Sequence, residues 1–255
     1  MNNEIAKALK DIESKRGVKI IYACESGSRA WGFSSTDSDY DVRFIYMHQP
    51  DYYLSVFDDR RDVIELPIND LLDISGWDLK KSLSLLYKNN LALFEWINSP
   101  VTYLNKDRDS LLKQLVQYYF RADRAHYHYL SMAKGFYENH LKNTELPNMK
   151  KLFYCLRTTA ACLWVKKYNS MPPVLFTEML TPELLPEDVI AEVKQLILEK
   201  SGKIEGDSTA NAKSSLNFII AKLAELEAYS PKKSSFDKTF ADSSFKAFLN
   251  SYGDL

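Results

Sequence analysis

The amino-acid sequence predicts an α+β protein in which a small sheet with flanking helices precedes an all-helical part. Two observations lead to this prediction. Short apolar runs that end in glycine, proline or polar turn residues, as strands do, fall within residues 1–105. Beyond residue 106 the apolar residues recur at helical spacing. Because strands followed by helices indicate two packed units, we predict one domain at 1–105 and a second at 106–255.

The first 105 residues alternate between helices and strands. An amphipathic helix with Ile5, Leu9 and Ile12 on one face opens the chain and ends at Gly17. Gly76 is expected to break the fourth strand, and Asp78 to cap the helix that follows. The predicted strands are at 18–24, 40–47, 61–66, 71–75 and 101–104. The predicted helices are at 3–16, 29–33 and 52–57, and a further helix begins at 78, is interrupted at 89–90 and resumes at 91–97.

The remainder is predicted to contain helices joined by polar loops. Pro147 and Pro186 are expected in the first turns of two helices, because proline is favoured there. The predicted helices are at 109–120, 123–141, 147–168, 176–180, 186–200, 210–229 and 240–252, with loops at 201–209 and 230–236.

Composition indicates an ordinary globular protein. The 255 residues carry a formal net charge of −1, so no global basic field indicates a nucleic-acid partner. Cys24, Cys155 and Cys162 lie in apolar runs without metal-ligand spacing, which predicts buried free thiols in a reducing compartment. The N-terminus lacks the apolar core of a signal peptide, and no apolar run is long enough to span a membrane. We therefore expect a cytoplasmic protein with no membrane partner. The sequence does not determine its oligomeric state.

Residues 22–47 contain candidate metal-binding and phosphate-binding residues. It joins an apolar run, a Gly-Ser turn, a short helix and an Asp-x-Asp that leads into a second apolar run. Asp39 and Asp41 would point to one side of a strand, since alternate strand residues share a face. Paired carboxylates suit two Mg²⁺ ions, with Mn²⁺ as an alternative, which can stabilise the attacking and leaving oxygens of a phosphoryl transfer. Gly27 would let the backbone approach a phosphate, and the amides of Gly27 and Ser28 would point at it.

This pattern resembles the signature of the DNA polymerase β superfamily of nucleotidyltransferases, through Gly27-Ser28, ten further residues and Asp39-Tyr40-Asp41. Segments 25–32, 38–46 and 75–79 are similar to a narrower group, the predicted nucleotidyltransferases of the RNA-ligase-associated type. The resemblance covers residues 20–105 well and the rest more loosely. It implies a nucleotidyltransferase-type mixed sheet in a catalytic domain at 1–105, a helical domain at 106–255 and an active site between them.

The resemblance also implies a reaction. A nucleoside monophosphate would move from a nucleoside triphosphate, such as ATP, to an acceptor hydroxyl or phosphate with release of pyrophosphate. The name of the group points to an RNA end as the acceptor. The alternatives are a protein or small-molecule acceptor, and a nucleotide-sensing module without turnover.

Further site residues follow from the resemblance and from position. A third carboxylate usually comes from a neighbouring strand, and we predict Asp73, which would bind metal with Asp39 and Asp41 and help to deprotonate the acceptor. Glu65 is the first alternative. Asp78 is the second, although its predicted role as a helix cap already accounts for it.

The basic residues around the motif have two interpretations each. Ser28 would bind a terminal phosphate, and Arg29 would either neutralise phosphate charge or be a surface arginine. Arg43 would orient the carboxylates, bind phosphate or pair with Asp62. Trp31 is expected to pack rather than to hold a base.

In the helical part, Lys151, Tyr154 and Arg157 share one face of the helix at 147–168. They would bind the triphosphate and the base or ribose, which the resemblance favours, or form a solvated face. His126 and His128 are two apart and point away from each other. Because no histidine has a Ser or Cys partner that the sequence places, we expect no zinc, triad or thiol chemistry.

Overall fold

The structure is a computed structural model that describes residues 1–56, 62–68, 71–107, 110–144, 146–202, 211–234 and 237–254. The chain forms two compact units, each discontinuous in sequence. The first comprises Met1–Ala30, Asp39–Tyr119 and Ser235–Leu255, and the second comprises Trp31–Ser38 and Phe120–Ser234. The α+β prediction is confirmed. The division into a catalytic and a helical domain at residue 105 stays a prediction, and the compact units have other bounds.

The first unit contains the sheet. Within the described residues five strands form one mixed sheet in the order β3-β4-β2-β1-β5, with β2 and β4 parallel and the other neighbours antiparallel. The strands are β1 Lys19–Ser26, β2 Tyr40–Met47, β3 Val63–Glu65, β4 Leu72–Asp78 and β5 Thr102–Asn105. All five predicted strands are therefore present, with ends that differ by up to three residues.

At the start of β2, alternation separates buried apolar residues from polar ones. Val42, Phe44 and Tyr46 are fully buried and join the core that contains the apolar face of the first helix, α1 (Asn2–Arg16). Because side chains alternate along a strand, Asp41 and Arg43 point to the opposite face of the sheet, which Ile45 and Met47 continue as buried apolar residues. Gly17 ends α1 in the left-handed conformation, with φ 61°, as predicted.

The remaining helices of this unit cap and flank the sheet. Asp78 caps α3 by accepting a hydrogen bond from the Lys80 amide, which confirms its predicted capping role. Asp107 accepts hydrogen bonds from the first amides of α5, those of Leu111 and Leu112. These elements are α2 Gly27–Trp31, whose last residue belongs to the second unit, a 3-10 turn Pro50–Leu54, α3 Leu79–Tyr87, α4 Leu91–Ile97, α5 Leu111–Tyr119 and α10 Thr239–Asn250.

Gly76 lies inside β4, so the prediction that it breaks this strand is wrong. The strand continues to Asp78, with Gly76 paired to Phe44 of β2 and to Ile64 of β3. A Cβ atom at position 76 would overlap the Phe44 ring. The glycine therefore makes room for a buried aromatic side chain of the next strand, which is one reason for glycine inside a strand.

Substituting Gly76→Ala should destabilise the protein by about 1–3 kcal/mol, because overpacking forces a core ring off its position. Chemical unfolding followed by circular dichroism measures this. Gly135→Ala is the matched control, because a Cβ at Gly135 in helix α6 meets nothing within 4 Å. That control should gain about 0.5–1 kcal/mol from helix propensity. Equal stabilities for the two variants would contradict the packing role of Gly76.

The second unit is helical and also includes the segment Trp31–Ser38. Phe33 of that segment is buried and stacks on Phe153 of α7 with ring centroids 5.0 Å apart. Pro147 and Pro186 precede their helices instead of lying in first turns, and Asn148 and Pro186 are the N-cap residues. The elements are α6 Ala122–Phe136, a π-helical turn Tyr137–Leu141, α7 Met149–Tyr168, a 3-10 turn Phe176–Met179, α8 Glu187–Ser201 and α9 Lys213–Glu227.

Several predicted positions fall outside the described residues. They include most of the loop at 201–209, the end of the predicted helix at 52–57 and the first residue of the predicted strand at 61–66. Among the helices that the structure describes, none has both the length and the apolar character that a membrane crossing requires.

Candidate active site

The Gly-Ser turn lies against the Asp-x-Asp strand. β1 ends at Ser26, and Gly27 begins α2 with a φ of 64°, a conformation that favours glycine. A Cβ atom at position 27 would overlap Oδ2 of Asp41. Position 27 therefore requires glycine for two reasons. Its backbone conformation favours glycine, and the Asp41 carboxylate occupies the space that a side chain would need. Ser28 is buried at the start of the short helix.

Asp41 and Asp73 are direct neighbours across two parallel strands. They occupy the same register position on β2 and β4, and both side chains are partly exposed, at 27% and 29%. Registered residues on adjacent strands point to the same face, and neighbouring strands are about 4.8 Å apart. The structure therefore brings these two predicted carboxylates together.

Arg43 bridges this carboxylate pair. Its Nη2 donates to Oδ1 of Asp41 at 3.1 Å and to Oδ2 of Asp73 at 2.7 Å. Its Nη1 donates to the backbone carbonyls of Asp73, at 3.0 Å, and Val42, at 3.1 Å. Of the three interpretations of Arg43, the geometry fits the one in which it orients the carboxylates. Asp62 instead pairs with Lys81, at 2.9 Å.

Asp39 directly precedes β2 and is exposed. Its backbone carbonyl accepts a hydrogen bond from Nε of Arg29 at 3.1 Å, and the Arg29 guanidinium lies 3.7 Å from the centroid of the Tyr40 ring. Arg29 thus ties the turn to the start of the strand. Its predicted contact with phosphate stays a prediction.

The donor atoms of this region fit a divalent cation in type. Asp41 and Asp73 offer hard carboxylate oxygens on one face of the sheet, which suits Mg²⁺, an ion that completes its coordination with water and substrate phosphates. Among the described residues, no three His, Cys, Asp or Glu side chains are gathered into a metal-binding group. The protein would supply the carboxylates of Asp41 and Asp73, together with that of Asp39. Such a small set of protein ligands is compatible with an ion that takes its other ligands from a triphosphate.

Glu25 was not predicted as a site residue, yet it contacts Asp41 directly. It is 1% exposed, and its Oε1 accepts a hydrogen bond from the Asp41 amide at 2.8 Å. Its Oε2 accepts a hydrogen bond from the Tyr103 hydroxyl. Burial raises the pKa of Glu25, and these hydrogen bonds act against that rise. A charged residue at the end of an otherwise apolar strand was the available sequence signal.

The two alternatives to Asp73 lie elsewhere. Asp78 is buried, accepts a hydrogen bond from the Tyr53 hydroxyl at 2.6 Å and caps α3, and burial raises its pKa. Glu65 is exposed on the edge strand β3, two strands from β2, and is in register with Ser75. Register therefore favours Asp73 as the neighbour of Asp41.

The predicted nucleotide-binding residues of the helical part lie on α7. Arg157 is buried, and its guanidinium lies 4.2 Å from the centroid of the Trp31 ring. Tyr154 packs edge to face against Trp31 with centroids 5.3 Å apart, so Trp31 packs as predicted. Lys151 is half-buried in the first turn. Buried packing of Arg157 does not match a solvated face, and binding of nucleotide by the three residues stays a prediction.

One histidine has a thiol neighbour that the sequence alone does not place. Nδ1 of His126 lies 3.3 Å from Sγ of Cys162, and Nε2 lies 3.2 Å from the Leu226 carbonyl oxygen. Both side chains are fully buried. Burial lowers the pKa of His126 and raises the pKa of Cys162 to about 12, which favours the uncharged form of both core side chains. All three cysteines are free and buried, as predicted.

Comparisons with known proteins show which proteins the chain is similar to. Residues 1–246 match a family described as the RNA repair pathway DNA polymerase beta family. The chain is 41% identical over 227 residues to the uncharacterized protein YcgL of Bacillus subtilis (strain 168), covering 89% of this chain and 86% of that protein. A crystal structure of a nucleotidyltransferase-like protein from Exiguobacterium sibiricum 255-15 aligns over 97% of this chain and 77% of that chain, with 14% identity and a TM-score of 0.31.

Proposed function

The chain belongs to the RNA repair pathway DNA polymerase beta family, and on that premise we propose that it is a metal-dependent nucleotidyltransferase. Family and fold suggest nucleotidyl transfer in general. The observation that supports the specific proposal is the pairing of Asp41 with Asp73 in register, with Gly27 packed against Asp41. Hard-oxygen ligands beside a turn that admits close backbone approach suit phosphoryl transfer from a nucleoside triphosphate.

In this proposal Asp39, Asp41 and Asp73 would hold Mg²⁺, with Mn²⁺ as an alternative. When bound, the metal would supply charge stabilisation to the reacting phosphoryl group. The acceptor oxygen forms a bond to the α-phosphorus, and the bond to the pyrophosphate oxygen breaks. The Asp73 carboxylate would take the proton of an acceptor hydroxyl, as a general base.

Arg43 and Gly27 would prepare the site for this chemistry. The Arg43 guanidinium lies between two carboxylates that would otherwise repel each other. Its Nη2 donates to both carboxylates, while its Nη1 holds the guanidinium on the backbone carbonyls of Val42 and Asp73. Gly27 leaves the space that the Asp41 carboxylate occupies. Gly27 and Ser28 would present the turn to the phosphates, and Arg29 would add positive charge beside it.

We propose an RNA end as the acceptor. The description of the family names RNA repair, which supports this choice. Lys151, Tyr154 and Arg157 would contact the triphosphate and the base or ribose. The net charge of −1 does not supply a general attraction to RNA, so the acceptor would be recognised locally.

The test is a transfer assay with α-labelled ATP, CTP, GTP and UTP in the presence of Mg²⁺ or Mn²⁺. Each nucleotide is incubated with total cellular RNA, with cell protein and with a small-molecule extract. We expect label in the RNA fraction, dependent on the metal and absent with an Asp39→Asn, Asp41→Asn double variant.

The other outcomes separate the alternatives. Label in protein or in the small-molecule fraction would keep the chemistry and replace the acceptor. Nucleotide binding without label in any fraction, measured with a fluorescent ATP analogue, would overturn catalysis in favour of a nucleotide-sensing module.

A further inference from the structure

A buried carboxylate holds the strand that carries Asp41. Glu25 is the last buried residue of β1, one position before Ser26, at which the strand ends. The Asp41 amide donates its hydrogen bond to the Glu25 side chain, at 2.8 Å. At the end of the β1–β2 ladder a side-chain oxygen thus serves as the acceptor for the Asp41 N–H.

The Glu25 side chain is itself held by an irregularity in the sheet. Ala23 is in register with Leu104 and Cys24 with Thr102, so Tyr103 is an extra residue on β5. This is a β-bulge, a feature that re-aims side chains and is common beside active sites. The Tyr103 hydroxyl donates a hydrogen bond to Oε2 of Glu25.

The backbone of Glu25 is held as firmly as its side chain. Its amide donates to the Val101 carbonyl at 2.9 Å, and its own carbonyl accepts from Oγ of Ser99 at 2.6 Å. Both carboxylate oxygens and both backbone groups of this residue are therefore satisfied in a site with 1% exposure. Such satisfaction is what allows a buried carboxylate to be kept and makes it rigid.

We infer that Glu25 is a positioning residue for the proposed reaction, which fixes the peptide of Asp41 so that the Asp41 carboxylate stays beside Gly27 and in register with Asp73. Tyr103 acts with it by fixing the orientation of the Glu25 carboxylate. This inference rests on the proposed function for its catalytic consequence, although the peptide contact itself can be tested without catalysis.

The Asp41 carboxylate has little room to move. Its carboxylate occupies the space of a Gly27 side chain on one side and bonds Arg43 on another. A rotation of the Asp41 peptide would move the carboxylate out of both contacts. A reacting group that shifts by about 1 Å can lose about 100-fold in rate, so an anchor on this peptide has a catalytic effect without touching substrate.

The experiment compares Glu25→Ala, Glu25→Gln and Tyr103→Phe with the unmodified protein. The first readout is the Asp41 amide in protein labelled with ¹⁵N-aspartate, by its chemical shift and its rate of hydrogen exchange, without metal or nucleotide. We expect an upfield shift and faster exchange in Glu25→Ala, a smaller change in Tyr103→Phe, and near-normal behaviour in Glu25→Gln, because its Oε1 still accepts.

The second readout is transfer of α-labelled nucleotide. We expect kcat to fall by about 10–100-fold in Glu25→Ala, with KM for the nucleotide changed by less than about threefold and with rescue in Glu25→Gln. Glu13→Ala is the matched control, because Glu13 likewise accepts from a strand amide, that of Ile20 at 2.8 Å, at the other end of β1. It should affect stability and leave kcat unchanged.

The two readouts distinguish failure of the positioning role, of its catalytic consequence and of the proposed function. An unchanged Asp41 amide in both Glu25→Ala and Tyr103→Phe would overturn the positioning role, whatever the protein catalyses. An altered amide with kcat unchanged would overturn the catalytic consequence. If the unmodified protein transfers no nucleotide while the amide responds as expected, the proposed function fails and the contact stands. If Glu25→Ala does not fold, Tyr103→Phe decides by the same two readouts.

Discussion

Substituting Asp41→Asn should lower nucleotidyl transfer by at least about 10³-fold, the largest effect of any single change that we predict. Metal-ion stabilisation of the transferring phosphoryl group amounts to several kcal/mol, and each 1.36 kcal/mol corresponds to a tenfold change in rate. Asn has the shape of Asp and can still accept the hydrogen bond from Arg43, so the loss should come from charge and metal binding. Transfer of α-labelled nucleotide at saturating Mg²⁺ measures it.

The fold should be little affected by this change. The Asp41 side chain is 27% exposed, and Asn keeps an oxygen that can accept from Arg43, so no buried donor loses its partner. Asp62→Asn is the matched control, because Asp62 also pairs with a cation, Lys81, in the same unit. It should retain full transfer. Transfer by Asp41→Asn within about tenfold of the unmodified protein would remove Asp41 from the catalytic site.

The same assay identifies which residue supplies the third catalytic carboxylate. Asp73→Asn should lower transfer nearly as much as Asp41→Asn, since Asp73 is the register partner of Asp41 and shares Arg43 with it. Glu65→Gln should be close to the unmodified protein, because Glu65 is on the edge strand two strands away. Activity retained by Asp73→Asn and lost by Glu65→Gln would reverse the assignment.

Local sequence signals were sufficient for the order of elements and for the Asp-x-Asp strand. Alternation along β2 is a local property, and it separates Asp41 and Arg43 from the buried Val42 and Phe44 without knowledge of the neighbouring strands. The end of α1 at Gly17 and the capping of α3 by Asp78 were also predictable, since caps depend on residues next to the helix. The proximity of Asp73 to Asp41 was inferred from position and resemblance.

Features that depend on register could not be predicted. Gly76 reads as a strand breaker until the Phe44 ring of the adjacent strand is known to occupy the space of its side chain. The contact of Glu25 with the Asp41 amide depends on how β1 and β2 align, and the contact with Tyr103 depends on a bulge in β5. No periodicity in a single segment contains this information.

Long-range contacts also determine the bounds of the compact units. The hydroxyl of Tyr119 accepts a hydrogen bond from the Ala241 amide and donates one to the Asp237 carbonyl, which joins the C-terminal segment to the first unit. The neighbouring positions of His126 and Cys162 arise in the same way, from the packing of α6 against α7. Residues so far apart in sequence leave no local pattern from which their contact can be read.

Substituting Gly27→Ala should lower transfer by about 100-fold or more and destabilise the protein as well. The backbone at position 27 has a φ of 64°, where a Cβ costs about 1–2 kcal/mol. The same Cβ would overlap Oδ2 of Asp41, so the carboxylate must move away from its position beside Asp73 and Arg43. A displacement of about 1 Å at the reacting centre is enough for a loss of this size. Transfer kinetics and thermal unfolding measure the two effects.

Gly17→Ala separates backbone strain from displacement of the carboxylate. Gly17 has nearly the same φ, 61°, but a Cβ there meets nothing within 4 Å. The two variants should therefore lose similar stability from strain, while only Gly27→Ala loses transfer, and only Gly27→Ala shifts the Asp41 amide resonance. If Gly17→Ala reduced transfer as strongly, loss of stability alone would explain both variants. If Gly27→Ala kept its transfer, the Asp41 carboxylate would not need the position that this structure gives it, and the proposed site would lose its main geometric support.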